Sequence, residues 1–397
     1  MKSAGWERRE RIQNALGEHQ IDALICALPA NVLMISGYWP VVGTGLAIAC
    51  ADGTLRLLIP EDEAGLAESG WADEVRTFHP GSLETVETAA EAIAKPLGDF
   101  ARGGHWRIGY EAGASSEPAS YAAMHLYGGR MAGLLSTSFP RGTLVPADDL
   151  LHELRACKTA EEIRRIRTAC AFAAGAFAEA GRSIVAGKPE FDVANAARNR
   201  LSSGMESFSN VQRADGFVWC MSGPNSALAS GAYARSRARR IESGDLVLVH
   251  CNSYADGYWS DITRTWCAGA PDERAARIFE AVFAAREAAL EAIRPGFSAA
   301  SVDRAARQKM GEHGFGAAFR HSTGHGVGFG AIDAGARPRI HPLSSDTLRA
   351  GMVFNVEPAA YFDGYGGVRH CDVVAITDRG CDVLTPFQCE QEWAVAK

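Results

Sequence analysis

The sequence predicts a two-domain α+β protein, a smaller α/β layer followed by a larger half in which helices lead into strands. Three observations predict it. A chain of 397 residues is longer than one ordinary core supports, so two domains are expected. Strand-like and helix-like segments alternate through the first part of the chain. The alternation stops at Pro146, where Asp148 and Asp149 precede a new, long helix. The boundary is placed at about 155, giving domains 1–155 and 156–397.

The elements follow in order. Residues 8–19 read as a polar amphipathic helix, and Ile21 to Leu28 is an apolar run. Strands are expected over Gly45 to Cys50 and Thr54 to Ile59, then an Ala-rich helix from Leu83 to Lys95 stopped by Pro96, then a strand over Trp106 to Tyr110. Such alternation suggests a mixed sheet. Thr159 followed by Glu162 makes a capping box. Ile163, Ile166, Cys170, Ala173 and Phe177 then recur at helical spacing until Gly181. A helix over Phe191 to Ser203 follows. Leu246 to Val249 and Tyr258 to Trp266 flank the turn-like segment Ser253 to Gly257, which predicts a hairpin. A helix over Asp272 to Ile293 is ended by Pro295-Gly296, and strands and turns finish the chain.

With 47% hydrophobic and 22% charged residues the chain is globular. A net charge of -7 argues against a nucleic-acid partner. The basic stretch Arg235 to Arg240 reads as a surface turn, because Glu242 and Asp245 follow it. The N-terminus is polar, without the apolar stretch of a signal peptide. No run approaches the ~18 apolar residues that span a bilayer. The ten cysteines form no CxxC pair and read as reduced, mostly buried thiols. A cytoplasmic protein without a membrane partner is expected.

Four segments could hold chemistry. A hairpin turn centred between Ala255 and Asp256 would set His250 opposite Asp261, with Cβ atoms ~5 Å apart, close enough to share one ion. The alternative is an Asp261 that caps a turn and a His250 bonded within a core. In HSTGHGVGFG, residues 321–330, glycines flank His325 and let the backbone crowd an imidazole towards a small site. A dinucleotide loop is disfavoured, since no strand-turn-helix unit with a later ribose-binding acid is evident. In GMVFNVEP, Glu357 ends an apolar strand, where a carboxylate needs a cation or a partner. The fourth segment is GGVRHCD, residues 366–372.

GDLVLV…GYWSDITRTW, STGHGVG and GMVFNVEPAAYFDGYGGVR together resemble the catalytic half of the Xaa-Pro aminopeptidase and prolidase family, over residues from about 155 to 385. The N-terminal half resembles the creatinase-type N-domain more loosely, through features such as MISGYWP. The resemblance implies a creatinase-like α/β domain followed by a pita-bread catalytic domain. It also implies two divalent ions held by Asp, Asp, His, Glu and Glu. Asp261, His325 and Glu357 stand at the second Asp, the His and the first Glu. The first Asp is here His250, and the last Glu, fourteen residues after Glu357, is here Cys371. His321 matches a histidine close to the substrate. The proton-shuttling histidine is replaced by Ile332, and the substrate-side histidine after SGPN by Ser230. Arg369 matches an arginine that supports the site or a substrate carboxylate; an ion pair with Glu357 or Asp372 is the other reading. Asp333 takes the place of a family Glu, or is a surface acid. Tyr258 and Trp259 pack the hairpin or stack on a flat substrate.

These changes weaken the two-metal arrangement and remove acid–base help worth ~10²–10⁴-fold. His250 and Cys371 are still metal-binding types. The expected cofactor is therefore one divalent ion (Mn, Zn or Fe), with a second left open. The leading expectation is a metal-dependent hydrolase that cuts a C–N bond of a small non-peptide substrate, with His321 or Glu357 moving protons. The family supports such uses: creatinase opens a guanidino compound without metal, and nitroanthranilate aminohydrolase displaces an aromatic amine. The alternatives are a slow Xaa-Pro dipeptidase or aminopeptidase and a catalytically dead binding module. A homodimer is expected from the resemblance.

Overall fold

The computed structural model describes residues 2–41, 45–79, 88–101, 104–113, 128–231, 235–333, 335–387 and 395–396. Its internal contacts divide the chain into two units, Met1–Arg155 and Ala156–Lys397.

The first unit runs α1 (Lys2–Glu18), β1 (Ala23–Cys26), α2 (Pro29–Ser36), β2 (Leu46–Cys50), β3 (Leu55–Pro60), α3 (Ala64–Ala67), β4 (Glu74–Phe78), α4 (Ala89–Gly98), β5 (Arg107–Tyr110), α5 (Gly128–Ser138), β6 (Thr143–Pro146) and α6 (Asp148–Ala156). Its six strands lie in the order β4-β3-β2-β1-β5-β6. β1–β2 and β2–β3 are antiparallel; β3–β4, β1–β5 and β5–β6 are parallel. The mixed sheet follows from apolar strands buried along their whole length, such as Ala23–Cys26 and Leu46–Cys50, which need cover on both faces. Ile93 and Leu97 of α4 and Leu135 of α5 join Ile25, Ile48 and Ile108 in one core. One helix expectation is corrected. α4 starts after a capping box at Thr88 and runs through Pro96 to Gly98, because a proline this near a C-terminus removes only one hydrogen bond of the last turn. Residues 83–87 of the expected helix lie outside the described residues.

The second unit runs α7 (Ala160–Ser183), α8 (Glu190–Ser203), β7 (Ala214–Ser222), α9 (Pro224–Ala227), β8 (Leu246–Ala255), β9 (Tyr258–Trp259), β10 (Ile262–Ala268), α10 (Glu273–Ala292), α11 (Ala299–Glu312), β11 (Val353–Val356), β12 (Ala359–Phe362), β13 (Gly366–Arg369), β14 (Asp372–Ile376), β15 (Cys381–Val383) and β16 (Val395–Ala396). The capping box at Thr159 is present, with Thr159 N–H donating to Glu162 Oε2 at 2.7 Å. Ile166, Ala169, Cys170, Ala173, Phe177 and Ala180 form the buried face of α7. Strands run β16-β10-β8-β7, with β9 pairing β8; β11-β14-β15 and β12-β13 form separate sheets. α10 and α11 bury Ile278, Val282, Ala285 and Val302 against Phe354, Val356 and Val374. The first hairpin strand is longer than expected, and the second is broken at Ser260 and Asp261.

Two isolated bridges tie the loops of the second unit to its strands, Gly326 to Phe354 and Thr263 to Cys371. Glycine is needed beside His325. A Cβ at Gly324 would meet the Asn355 carbonyl oxygen at 1.8 Å, and one at Gly326 the Ala336 oxygen at 2.0 Å. Among the described residues no helix is long and apolar enough to cross a membrane, and the nine described cysteines are free, seven of them buried.

Candidate active site

The hairpin sets the site's register. Asp256 (φ 48) and Gly257 (φ 85) both adopt left-handed backbone, the signature of a two-residue turn that matches strand twist. Ala255 therefore pairs with Tyr258, and His250 pairs with Thr263, not with Asp261. This corrects the turn centre by one residue and the pairing by two. A slip of two leaves side chains on the same face, so Asp261 becomes a diagonal neighbour with Oδ1 3.8 Å from His250 Nδ1. The Asp-Gly pair in the sequence was the signal for the true turn.

On the other side, the backbone N–H of His325 donates to Asn355 Oδ1 at 2.8 Å. Its Nδ1 lies 3.0 Å from the Gly326 carbonyl. A carbonyl only accepts, so Nδ1 carries a proton, and Nε2, which faces the Asn355 amide nitrogen at 3.2 Å, is the accepting atom. Nε2 is 3.5 Å from Asp261 Oδ2 and 3.9 Å from Glu357 Oε1. Glu357 sits one residue beyond β11, fixed by its N–H to the Thr323 carbonyl at 2.8 Å. Cys371 Sγ donates to the Asp261 carbonyl at 3.1 Å and lies 4.0 Å from Asp261 Oδ1.

Arg369 links these groups. Its Nη2 is 3.1 Å from His250 Nδ1, its Nε 3.0 Å from Thr263 Oγ1 and 4.0 Å from Glu357 Oε2. Nη1 donates to the Ala229 carbonyl at 3.2 Å and approaches the Tyr361 hydroxyl at 3.4 Å. His321 completes the wall: Nδ1 donates to the Ser322 carbonyl at 2.7 Å, and Nε2 accepts from the Tyr361 hydroxyl at 2.9 Å.

Burial decides the protonation states. It pushes His250 down to about 4 and His321 down to about 3; Arg369 lowers both further, while Asp261 opposes the shift at His250. Both rings are neutral at pH 7. Burial pushes Glu357 up to about 7, with Arg369 opposing and Asp261 adding. The Cys371 thiol is raised well above its usual range by burial, Glu357 and Asp261.

The structure thus gathers His250, Asp261, His325, Glu357, Cys371, Arg369 and His321. The remaining assignments fare differently. Tyr258 is fully buried, against Phe329 with centroids 5.7 Å apart and Arg165 at 5.5 Å; it packs the hairpin and offers no face to a substrate. Trp259 packs on Tyr254 at 4.9 Å. Asp333 is not a surface acid: it is 1% exposed and accepts the Phe329 N–H at 3.2 Å. Ser230, half-buried, follows Ala229, whose carbonyl holds Arg369. Ile332 is 42% exposed. Asp372 pairs with Arg264 and Arg286, leaving Arg369 to Glu357.

Sequence reasoning missed four contributors. Trp219, opposite His250 on β7, stacks on its imidazole at 5.5 Å and 9°, and on Phe217 at 5.9 Å and 5°. Arg235 lies 4.7 Å over the Trp219 ring, so the basic stretch is more than a solvated turn. Tyr361 and Asn355 reach the centre from β12 and β11. The alternation Phe217-Val218-Trp219 on a strand was a readable sign of one aromatic face.

The expected metal ligands were tested on this donor set. Among the described residues no three His, Cys, Asp or Glu side chains are grouped to hold an ion. Two carboxylates of the implied five-ligand set are absent, Cys371 keeps its proton, and an Asn355 amide N–H faces His325 Nε2 at 3.2 Å. The residues present do not fit a two-ion centre.

Comparison with known proteins gives the family of the chain. Residues 164–378 match the model of metallopeptidase family M24, and residues 8–157 the creatinase/prolidase N-terminal domain. The chain is 32% identical over 391 residues to the Xaa-Pro dipeptidase of Pyrococcus furiosus, covering 97% of this chain and 99% of that one. The crystal structure of the prolidase from Pyrococcus horikoshii superposes with a TM-score of 0.77 at 30% identity, over 97% of this chain and 99% of that one. The X-Pro aminopeptidase from Thermotoga maritima, at 23% identity, shares the fold with a TM-score of 0.76 over 95% of this chain and 99% of its own. The chain therefore belongs to metallopeptidase family M24, carries the creatinase/prolidase type of N-terminal domain, and is a hydrolase of C–N bonds.

Proposed function

We propose that this hydrolase cleaves a C–N bond of a small, non-peptide molecule, such as the amide or amine of a planar compound. One observation carries the reading: Glu357, Arg369, Tyr361 and His321 form a connected proton-handling and anion-holding set, while the resemblance implies that the family's substrate-side and proton-shuttling histidines are replaced at Ser230 and Ile332 and two of its metal ligands at His250 and Cys371.

Within that set each residue has a chemical task. Arg369 presents a fixed cation beside Glu357 and holds a substrate carboxylate or a developing oxyanion. Glu357, near neutrality, takes a proton from water and returns it to the leaving nitrogen. Neutral His321 and Tyr361 hold the second polar end. The Trp219 and Phe217 rings offer flat apolar surface beside His250. A homodimer is part of the same proposal, measured by light scattering.

The second reading is a slow Xaa-Pro dipeptidase, favoured by likeness along the whole chain to an Xaa-Pro dipeptidase. Purified protein is assayed on Gly-Pro beside a panel of small amides and aryl amines. Turnover confined to the panel, lost in Glu357→Gln by roughly 10²-fold or more, is expected. Rapid Gly-Pro cleavage sinks the first reading, and silence on every compound favours a binding module.

A further inference from the structure

We infer that this centre is built to operate without a divalent ion: Asn355, Arg369 and the Cys371 thiol engage, by hydrogen bonds, the atoms that would otherwise meet a cation.

The decisive contact is at His325. Its Nδ1–H is spent on the Gly326 carbonyl, so Nε2 is the one ring atom able to bind an ion. That lone pair faces the Asn355 amide nitrogen at 3.2 Å. The amide orientation is set by a second bond, since Asn355 Oδ1 accepts the His325 backbone N–H at 2.8 Å. Flipping the amide would aim an oxygen at the lone pair and an N–H at an N–H. The same nitrogen reaches Cys371 Sγ at 3.5 Å. Asn355 is fully buried, so no water competes for it. An ion bonding at ~2.0–2.1 Å from Nε2 has to displace this donor.

The two changed ligand positions, His250 and Cys371, behave alike. His250 Nδ1 accepts from Arg369 Nη2 at 3.1 Å and faces the Thr263 hydroxyl at 2.9 Å. Its neutral ring then has the proton on Nε2, and neither nitrogen offers a free lone pair. Cys371 keeps its proton and donates a hydrogen bond from Sγ to the Asp261 carbonyl at 3.1 Å. Charge agrees. The implied family set puts four carboxylates against two dications. Here two carboxylates remain, Asp261 and Glu357, with Arg369 Nε 4.0 Å from Glu357 and Arg235 beyond Trp219.

Asn355 is thus a positioning residue, holding His325 and Cys371 together. The inference concerns ion binding alone and needs no substrate, so it stands or falls separately from the proposed reaction. Full-length protein is expressed in medium supplemented with Mn²⁺, Zn²⁺ and Fe²⁺, dialysed, and analysed for elements. Its melting is then followed with each ion and with EDTA. Well under one ion per chain, and a midpoint indifferent to ions and chelator, are expected. A triple variant, His250→Asp with Asn355→Ser and Cys371→Glu, should gain an ion and an ion-dependent rise in melting temperature. A wild-type chain that keeps one equivalent or more, lost in His325→Ala, overturns the inference. A folded triple variant that gains no ion overturns the role given to these three residues. If the variant does not fold, the wild-type measurements alone decide.

Discussion

Asp372 carries one buried and one half-buried arginine: Arg264 Nη2 lies 2.5 Å from Oδ1 and Arg286 Nη2 2.6 Å from Oδ2, with His370 Nε2 at 3.3 Å. Burial alone would raise its pKa, yet Arg264, His370 and Arg286 hold it well below the usual 3.8. A depressed carboxyl stabilises the fold fully above the unfolded value and loses that contribution as pH falls through the folded one. Asp372→Asn leaves Arg264 buried and unpaired, so the urea midpoint should drop by an amount worth roughly 3–5 kcal/mol at pH 7. The difference from wild type should shrink below pH 3.8. An equal difference at pH 7 and at pH 3 would remove this account. Arg264 also donates to the Cys371 carbonyl at 2.7 Å, so this cluster supports the candidate site from below. A milder change is Tyr361→Phe. It leaves His321 Nε2 without its donor, costing about 1–3 kcal/mol and lowering kcat more than it raises KM. Unchanged melting and kcat would show that the hydroxyl is idle.

Two elements put local rules to the test. Thr159 caps α7, accepting the Glu162 N–H at 3.3 Å. Thr159→Ala should cost about 1 kcal/mol in chemical denaturation, and Thr159→Ser should restore most of it. A loss that Ser does not restore would point to packing instead. The β8–β9 turn needs Gly257 at φ 85; Gly257→Val should destabilise by about 1 kcal/mol or more, and a neutral result would mean the turn relaxes freely. Elements such as α7 were legible because capping and a 3.6-residue apolar period are local signals. The hairpin register was less so. Reading Ser253 to Gly257 as a generic turn lost the Asp-Gly pair, and that pair alone determines whether Asp261 or Thr263 faces His250. The break at Ser260 and Asp261 was invisible, since it arises where Ser260 folds back to the Ser253 hydroxyl at 2.6 Å.

Across the whole molecule the buried histidines set the response to acid. Burial lowers His250 to about 4, His321 to about 3 and His370 to about 4. A histidine with a lowered folded value is neutral in the fold, while the unfolded chain takes up a proton below the ordinary 6.5. Stability is therefore fully present above 6.5 and falls as pH drops towards 4. The slope approaches about 1.4 kcal/mol per pH unit for each histidine. Thermal melts should decline steeply below 6.5, because the three histidines together outweigh Glu357, whose raised value works in the opposite direction above its ordinary 4.5; a midpoint level down to pH 5 would contradict the neutral rings. The sequence by itself determined the two-part architecture, the helix starts, and the segments containing Asp261, His325, Glu357 and Arg369, because periodicity, capping and motif spacing are written in neighbouring residues. Only the tertiary structure decided what those segments do together. That Asn355 meets His325, that Trp219 covers His250, and that Arg369 lies among the carboxylates depend on strands brought together from distant parts of the chain, where hydrogen bonding and burial choose partners that no local pattern records.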